Sequence, residues 1–314
     1  MGASSVSVVI PARNAARFLP DCLASVRAQT RQPDDIVAID DGSTDGTAAL
    51  LAAAGIRTLA LPGHGAGAAR NAGVRAASGD WIAFLDADDR WEPSKLEKQL
   101  AQAERSPGAV MLFTDALFAG AASGRYLDGR VPARVSSETL LLDNYVCTST
   151  VLARRERLLA LGGFRVDLVV AHDYDLWLRL LASERAEYLD EPLSVYSVHD
   201  RGVSRDLELA TTETLRVVRE HGPPAPSGDL RSRLAVLERF LGHLALERDD
   251  CASALSHFSS ALDLAPGAPL TWAYFLACRA GPRVARLLKS LSLWRRAQFV
   301  AGLQPSGRYP GRSA

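Results

Sequence analysis

The alternation of short apolar runs with helix-like segments over the first hundred residues constrains the fold of this chain most strongly. Apolar runs of strand length occupy residues 6–10, 36–39, 56–60 and 81–85, and a segment with helical character follows each of them. Aliphatic runs of this length predict buried strands. Strands that alternate with helices predict a parallel sheet covered on both faces, so we expect an α/β fold.

The rest of the chain divides at a composition break. The later elements are expected to be one strand and two helices, at residues 109–114, 136–143 and 173–184. A segment rich in proline and glycine, residues 222–228, is typical of a linker, and a helical pair is expected after it at residues 229–265. The predicted organisation is a main domain, a linker and a helical extension, at residues 1–222, 223–228 and 229–314.

Charge is balanced over the whole chain but not along it. Lys and Arg together number 36, as do Asp and Glu, so no global field attracts nucleic acid and no such partner is expected. After Asp263 there is no acidic residue, and the basic residues there are Arg279, Arg283, Arg286, Lys289, Arg295, Arg296, Arg308 and Arg312. Apolar residues of the same tail fall on one helical stripe. Residues 270–300 are therefore expected either to contact an anionic membrane surface or to pack on the main domain.

The sequence carries no sign of a membrane span or a leader. No apolar stretch reaches the length of a span, and no basic region followed by an apolar stretch opens the chain. The four cysteines are widely separated without a CxxC pair, so we expect no zinc site and a reducing compartment. The predicted location is cytoplasmic, either free or peripheral on the inner face of the plasma membrane.

Polar clusters follow three of the predicted strands. Asn14 follows the first strand, Asp40 and Asp41 follow the second, and Asp86-Ala87-Asp88-Asp89 follows the fourth. In open parallel sheets, ligands bind outside the carboxyl ends of the strands. We therefore expect these side chains to share one binding site.

The acidic cluster at residues 86–89 favours a divalent cation. Carboxylates crowded this closely repel one another unless a cation lies between them, and oxygen ligands suit Mg²⁺ or Mn²⁺ bridged to a diphosphate. The alternative is a solvated turn that caps the helix predicted to start at Ser94, where Glu97 completes the S-x-x-E spacing of a capping box. The sequence alone leaves both open.

Two further segments offer contacts to a nucleotide. Asp40 and Asp41 can accept hydrogen bonds from a base or a ribose, and the alternative is an ordinary turn and helix cap. Arg70 and Asn71 can donate to a diphosphate or a base, with a surface salt bridge as the alternative. The glycines at residues 63–67 do not form a dinucleotide fingerprint, because they follow a later strand and continue into Ala68-Ala69-Arg70.

Four segments in this order resemble the signatures of family 2 glycosyltransferases of the bacterial type. They read VVIPARN, IDDGSTDGT, ARNAG and FLDADD, at residues 8–14, 39–47, 69–73 and 84–89. The resemblance covers about residues 5–205. It implies the GT-A fold, a Rossmann-like mixed sheet flanked by helices, together with a nucleotide-sugar donor, an Asp-x-Asp metal site and inversion at the anomeric carbon.

The resemblance also implies roles for individual residues. Asp40 and Asp41 would bind the nucleoside, and Asp86 with Asp88 would bind the metal and the donor. The expected donor-binding set is Pro11, Arg13, Asn14, Asp40, Asp41, Arg70, Asn71, Asp86, Ala87 and His199. The expected ligands of Mn²⁺ or Mg²⁺ are Asp86, Asp88 and His199. His199 is included because residues 196–204 resemble the family's segment that begins Tyr-x-x-His and ends in serine.

Asp173 is the candidate general base, because a sugar hydroxyl attacks poorly until its proton is removed. It lies at the start of a predicted helix, where the helix dipole stabilises a carboxylate, and the alternative is that it is only the N-cap. Residues 172–177 resemble the family's Glu-Asp-Tyr-Asp-Leu-Trp pattern. His172 departs from that pattern by replacing the usual Glu, which removes a negative charge beside the base and adds an imidazole.

The residues and the resemblance together predict a glycosyltransferase that uses a nucleotide-diphosphate sugar. Inversion and uracil as the base are what the resemblance implies. The acceptor is expected to be a saccharide or a lipid-linked saccharide of cell-surface glycan synthesis. The departure at His172 keeps a second hypothesis open, a catalytically inactive relative that binds nucleotide sugars. A nucleotidyltransferase is a third, because such enzymes also combine α/β folds with paired carboxylates.

Overall fold

A computed structural model describes residues 4–199 and 206–291, with side chains up to Leu287. The chain divides into two compact units. The first consists of residues 1–140 and 144–202, and the second of residues 141–143 and 203–314. The sequence-based division at residues 222 and 228 falls inside the second unit.

The first unit is built on one mixed sheet of eight strands in the order β3-β2-β1-β4-β7-β6-β8-β5. The strands are β1 (Val6–Ala12), β2 (Asp35–Asp41), β3 (Arg57–Leu61), β4 (Trp81–Phe84), β5 (Arg90–Trp91), β6 (Ala109–Gly120), β7 (Leu152–Arg154) and β8 (Arg185–Val198). β1, β2, β3 and β4 run parallel, β7 is antiparallel to β4 and to β6, and β6 is parallel to β8. The expected α/β fold with a mixed sheet flanked by helices is confirmed.

Burial explains why the first strands lie at the centre of the sheet. β1 and β4 are apolar and buried along nearly their whole length, as central strands covered on both faces must be. Val8, Ile10, Trp81 and Ala83 belong to one core cluster with Leu19 and other residues of the covering helices. Because β2, β1 and β4 are parallel neighbours, their carboxyl ends meet at one edge of the sheet.

The helices of the first unit cover this sheet. They are α1 (Leu19–Arg27), α2 (Thr47–Ala53), α3 (Ala66–Ala76), α4 (Lys95–Arg105), α5 (Ser137–Leu142), α6 (Arg155–Ala160) and α7 (His172–Leu181), with a 3-10 helix at Thr148–Thr150. Ser94 is the N-cap of α4 as its position predicts, but its side chain makes no capping hydrogen bond. Glu97 instead accepts a hydrogen bond from the Thr30 hydroxyl at 2.6 Å, so the predicted capping box does not form.

The second unit is helical. It contains α8 (Leu207–His221), α9 (Gly228–Glu247), α10 (Cys251–Leu264), α11 (Pro269–Ala280) and α12 (Pro282–Leu291). Asp206, Ser227 and Asp250 cap α8, α9 and α10 through side-chain hydrogen bonds to backbone N–H groups. Phe258 and Tyr274 stack at 5.5 Å between ring centroids in its buried core. The predicted C-terminal helical extension is confirmed.

Several expectations concern the ends of this unit. Residues 222–227 connect α8 to α9, where the sequence predicted a linker. The part of the basic stripe beyond residue 291, with Trp294 and Arg296, lies outside the described residues.

Among the helices that the structure describes, none combines the length and apolarity that crossing a membrane requires. All four cysteines carry free thiols.

Candidate active site

The loop after β1 is tied to the loop after β2. Asn14 adopts a left-handed backbone conformation with φ 51°, and its N–H donates to the Ser43 hydroxyl at 3.0 Å. Its side-chain Oδ1 accepts from the N–H of Thr44 at 2.8 Å. Pro11 lies at the end of β1, and the Arg13 side chain is exposed beyond it. These bonds bring the first two polar clusters of the sequence together.

Asp40 and Asp41 lie buried at the end of β2 and differ in their contacts. Asp41 accepts from the N–H groups of His64 and Gly65, at 2.7 and 2.8 Å. Asp40 accepts from the N–H of Ser43 at 3.1 Å. Gly65 has φ 92°, a conformation that side chains rarely adopt, so a glycine suits this loop. Asp41 therefore holds the glycine-rich loop, residues 63–67. The Asp40 carboxylate accepts fewer of these hydrogen bonds and can accept further ones from a ligand.

Arg70 is buried in α3 and points at the acidic cluster. Its guanidinium forms an ion pair with Asp86 through Nη2, and its Nη1 is hydrogen-bonded to Nε2 of His172. The Arg70 side chain is 6% exposed, and its Nε has no hydrogen-bond partner among the described residues. The guanidinium also lies 5.7 Å from the ring centroid of Phe164. Arg70 is thus a fixed positive charge in the site, and the alternative of a surface salt bridge is wrong.

The three carboxylates after β4 occupy different environments. The side chains of Asp86 and Asp88 are 30% and 35% exposed, whereas Asp89 is buried. Asp89 accepts from the Ser149 hydroxyl at 2.5 Å and from the N–H of Ser197 at 2.8 Å. Burial, and then the charges of Asp88 and Asp86, raise the pKa of Asp89 well above its ordinary value. Asp86 and Asp88 therefore remain available to a ligand, while Asp89 holds the loop.

His199 lies beside the acidic cluster. Its Nε2 is 2.8 Å from Oδ2 of Asp88, and its ring stacks on Phe18 with 4.6 Å between the ring centroids. Burial, and then the charge of Asp86, raise the pKa of Asp88, while the His199 hydrogen bond opposes that rise. Ala87, between Asp86 and Asp88 in the sequence, is buried. Residues 200–204 of the segment that suggested His199 lie outside the described residues.

Asp173 is the second residue of α7. The N-cap of this helix is Ala171, so the alternative that Asp173 is the N-cap is wrong. Asp173 accepts from the Thr148 hydroxyl at 2.8 Å and from the N–H of Tyr174 at 2.6 Å. The side chain is half-buried, and it follows His172, whose ring contacts Arg70. The candidate base and the acidic cluster thus belong to one network of contacts.

The 3-10 helix at residues 148–150 joins the two halves of the site, and the sequence analysis missed it. The Thr148 hydroxyl donates to Asp173, whereas Ser149 donates to Asp89 and accepts from the N–H of Asp86 at 3.1 Å. Both hydroxyl residues are buried. The available signal was a run of three hydroxyl residues, Thr-Ser-Thr, among apolar neighbours.

Asn71 takes part in the structure of the site through the backbone of Phe164. Its Oδ1 accepts from the Phe164 N–H at 2.8 Å, and its Nδ2 donates to the Phe164 carbonyl at 2.7 Å. Both ends of the Asn71 side-chain amide are therefore bonded to the segment that precedes α7. Direct binding of a donor by Asn71 stays a prediction.

The residues at the acidic cluster fit a divalent cation. No group of three or more His, Cys, Asp or Glu side chains forms a ready metal site within the described part of the chain. Mg²⁺ and similar ions, however, usually bind one or two carboxylates and take the remaining oxygens from phosphates and water. Asp88 and Asp86 are partly exposed carboxylates of this kind, which suit Mn²⁺ as well, and His199 lies beside them.

Comparisons with known proteins identify the family. A model of glycosyl transferase family 2 matches residues 7–156. The putative teichuronic acid biosynthesis glycosyltransferase TuaG of Bacillus subtilis is 31% identical over 226 residues, which cover 68% of this chain and 87% of that protein. The chain belongs to glycosyltransferase family 2. An uncharacterized glycosyltransferase of Haemophilus influenzae is 29% identical over 224 residues, which cover 69% of this chain and 76% of that protein.

Several solved structures share this fold. TarS 1–349 of S. aureus in complex with UDP-GlcNAc superposes with a TM-score of 0.67 at 17% identity, covering 93% of both chains. The mannosyltransferase PcManGT of Pyrobaculum calidifontis, in complex with GDP-Man and Mn²⁺, gives 0.58 at 18% identity, covering 92% of this chain and 87% of that one. Together with the sheet order, they confirm the GT-A type fold of this family 2 glycosyltransferase.

Proposed function

We propose that this family 2 glycosyltransferase transfers a sugar, with inversion, from a UDP-sugar to a saccharide or lipid-linked acceptor. The observation that carries the proposal is the series of contacts that links the acidic cluster to the start of α7, where the candidate base lies. Asp86 contacts Arg70, Arg70 contacts His172, and His172 precedes Asp173. A sugar transfer needs groups that stabilise the departing diphosphate and a base that takes the proton of the acceptor hydroxyl. The acidic cluster with Arg70 is suited to the first task, and Asp173 is suited to the second.

The donor is held at the carboxyl edge of β1, β2 and β4. Asp40 accepts from the uracil ring N–H or the ribose, since its carboxylate is less engaged than that of Asp41. Pro11, Arg13 and Asn14 border the same place from the end of β1. Arg70 supplies a fixed positive charge toward the diphosphate, and a buried guanidinium is more effective there than one in water.

A divalent cation, most simply Mn²⁺, completes the diphosphate site. It would be held by Asp88, Asp86 and His199, and its chemistry there is to neutralise charge on the leaving nucleoside diphosphate. Burial and the neighbouring Asp86 raise the pKa of Asp88, so the cluster favours an added positive charge. The Mn²⁺ in the PcManGT complex supports the choice of ion.

Asp173 takes the proton of the acceptor hydroxyl. Thr148 donates to its Oδ2, and the N–H of Tyr174 donates to its Oδ1, so the carboxylate is held in a fixed orientation. It lies in the first turn of α7, at the end of the helix where the backbone N–H groups carry partial positive charge. The similarity to TuaG supports an acceptor in cell-surface polysaccharide synthesis.

The product of donor turnover tests this proposal against its rivals. The purified protein is incubated with UDP-sugars, Mn²⁺ and saccharide acceptors, and the phosphate-containing product is identified by chromatography. A glycosyltransferase releases UDP and forms a glycoside with inverted anomeric configuration, which NMR detects. Release of pyrophosphate in a parallel incubation with UTP and a sugar 1-phosphate would instead establish a nucleotidyltransferase, and binding of a UDP-sugar without any release of UDP would establish an inactive relative.

We propose in addition that residues 270–287 contact an anionic membrane surface. Leu270, Trp272 and Leu276 of α11, and Val284 and Leu287 of α12, are large apolar side chains that are at least 42% exposed. Arg279, Arg283 and Arg286 lie among them, and no acidic residue does. Exposed apolar side chains with arginines favour the interface of anionic lipids.

Co-sedimentation with lipid vesicles tests this surface. We expect binding to vesicles that contain phosphatidylglycerol at low salt, and weaker binding for the Trp272→Ser/Leu276→Ser variant. Vesicles of phosphatidylcholine alone serve as the control for charge. Equal sedimentation of the variant and the wild-type protein, or no binding to anionic vesicles, would contradict the proposal.

A further inference from the structure

The contact between His172 and Arg70 assigns a positioning role to a residue that takes no part in the chemistry proposed above. His172 is the first residue of α7, is buried, and lies with its Nε2 against Nη1 of Arg70. Its other ring nitrogen, Nδ1, is 3.1 Å from the carbonyl oxygen of Val169. Both ring nitrogens are thus engaged, each with a partner of fixed hydrogen-bonding character.

The partners determine where the ring proton lies. A carbonyl oxygen only accepts, so Nδ1 must carry the hydrogen that is donated to Val169. A guanidinium only donates, so Nε2 must present its lone pair to Arg70. The imidazole is therefore neutral and in its Nδ1–H form. A protonated ring would place a second N–H against the Arg70 donor.

The surroundings of the ring favour the same state. Burial, and then the positive charge of Arg70, lower the pKa of His172, while Asp173 and Asp86 act in the opposite direction. Phe164 packs edge-on against the ring at 5.8 Å between centroids and also lies under the Arg70 guanidinium. The Phe164 backbone is in turn held by Asn71. The ring has little freedom to turn away from Arg70.

We infer that His172 is a neutral clamp that orients Arg70 toward Asp86 and the donor diphosphate without cancelling the positive charge of the guanidinium. The inference rests on the proposed function, in which Arg70 faces the diphosphate. A carboxylate at this position would hold Arg70 equally well but would neutralise it. An apolar side chain would leave the charge intact but would not fix the guanidinium, whose Nε already lacks a partner among the described residues.

Three substitutions separate these contributions. His172→Gln keeps a neutral acceptor, His172→Glu supplies a charged acceptor, and His172→Leu supplies none. We measure UDP affinity by calorimetry in the presence of Mn²⁺, and kcat and KM for the donor. We expect Gln to stay within about threefold of the wild-type affinity, and Glu and Leu each to weaken UDP binding by about tenfold, the effect of one charge-assisted hydrogen bond or one nearby charge. His221→Gln, in α8 of the second unit, is the matched control.

The outcomes decide between a clamp and a packing role. If His172 only fills space, Leu will bind UDP as tightly as the wild type, which would overturn the inference. If Glu binds UDP as tightly as Gln, the neutrality of the clamp is wrong. In an Arg70→Met background the Gln and Leu variants should bind UDP equally, because the clamp then has nothing to hold. A difference between them there would also overturn the inference.

A measurement without any ligand keeps the inference separate from the proposed donor. ¹⁵N spectra of histidine-labelled protein, with His172 assigned from the Gln variant, report the tautomer directly. We expect a neutral Nδ1–H form that persists as the pH falls below the ordinary histidine pKa of about 6.5. An Nε2–H form, or an ordinary titration, would overturn the clamp. Failure of UDP to bind the wild-type protein, with the expected tautomer present, would instead contradict the proposed donor.

Discussion

Ser149 holds the loop of the acidic cluster, and its removal has a consequence that the structure allows us to estimate. Its hydroxyl donates to Asp89 at 2.5 Å and accepts from the N–H of Asp86 at 3.1 Å, in a position that is 1% exposed. Ser149→Ala removes both bonds. Water has no access to replace them, so the N–H of Asp86 loses its acceptor, and Asp89 retains the bond from Ser197.

The expected loss follows from the two bonds. A net hydrogen bond contributes about 1 kcal/mol, and a buried polar group left without a partner costs about 1–3 kcal/mol. We therefore expect the free energy of unfolding to fall by about 2–4 kcal/mol. Donor turnover should fall as well, because the backbone at Asp86 is released.

Urea unfolding followed by tryptophan fluorescence measures the loss. Ser232→Ala is the matched control and should change stability by less than about 0.5 kcal/mol, because Ser232 is exposed on α9 and its hydroxyl bonds only to the Gly228 carbonyl among the residues that the structure describes. A loss for Ser149→Ala no larger than that of the control would refute the reasoning that this hydroxyl organises the site.

Three further predictions address the base, the core and the pH dependence of stability. Asp173→Asn should lower kcat by about 10²–10⁴-fold while UDP affinity by calorimetry stays unchanged, since only the base is lost, and a parallel loss of UDP affinity would argue against that role. Gly73→Ala should lower the free energy of unfolding, measured by calorimetry, by about 1–3 kcal/mol, because its Cβ would lie 2.4 Å from Cγ1 of Val9. Gly108→Ala is the control, because no described atom lies within 4 Å of the Cβ it would add. Burial, and then the charge of Arg239, lower the pKa of His243 to about 3 in the folded protein. As the pH falls below about 6.5, His243 becomes protonated in the unfolded chain but not in the folded one, so stability is lost from about pH 6.5 down to about pH 3. Near pH 5 the loss amounts to about 2 kcal/mol, and urea unfolding of wild type and His243→Gln at neutral and acidic pH should show a shallower decline for the variant.

The central strands and their polar ends could be predicted from the sequence because their signals are local. β1, β2 and β4 are apolar runs, and the carboxyl ends of adjacent parallel strands meet at one edge whatever follows later in the chain. Asn14, Asp40 and Asp86 were therefore expected in one place. The structure brings these polar ends to one edge of the sheet.

The second half of the sheet was harder to predict because its strands carry weak patterns. β7 has three residues, too few for any periodicity. β8 contains Pro192 and three acidic residues, and most of its side chains are only half-buried, so no apolar run marks it. Its pairing with β6 is interrupted by irregular register, which removes strict alternation as well.

The parts of the site that sequence reasoning missed depend on this second half. Thr148 and Ser149 reach Asp173 and Asp89 only because β7 enters the sheet beside β4, which is a non-local pairing. The same holds for the bond between His172 and Arg70, residues that are 102 positions apart. The substitution of His172 was visible in the sequence, but the partner that gives it a role was not.

The dependence of UDP release on Mn²⁺ tests the central claim most directly. Release from a UDP-sugar is measured over a series of Mn²⁺ concentrations for the wild type, for Asp88→Asn and for Asp21→Asn, whose carboxylate is exposed on α1 at 75%. The account predicts saturable activation by Mn²⁺ in the wild type and in Asp21→Asn, and its loss in Asp88→Asn. UDP release that is unaffected by chelation, or an Asp88→Asn variant as active as the wild type, would contradict it.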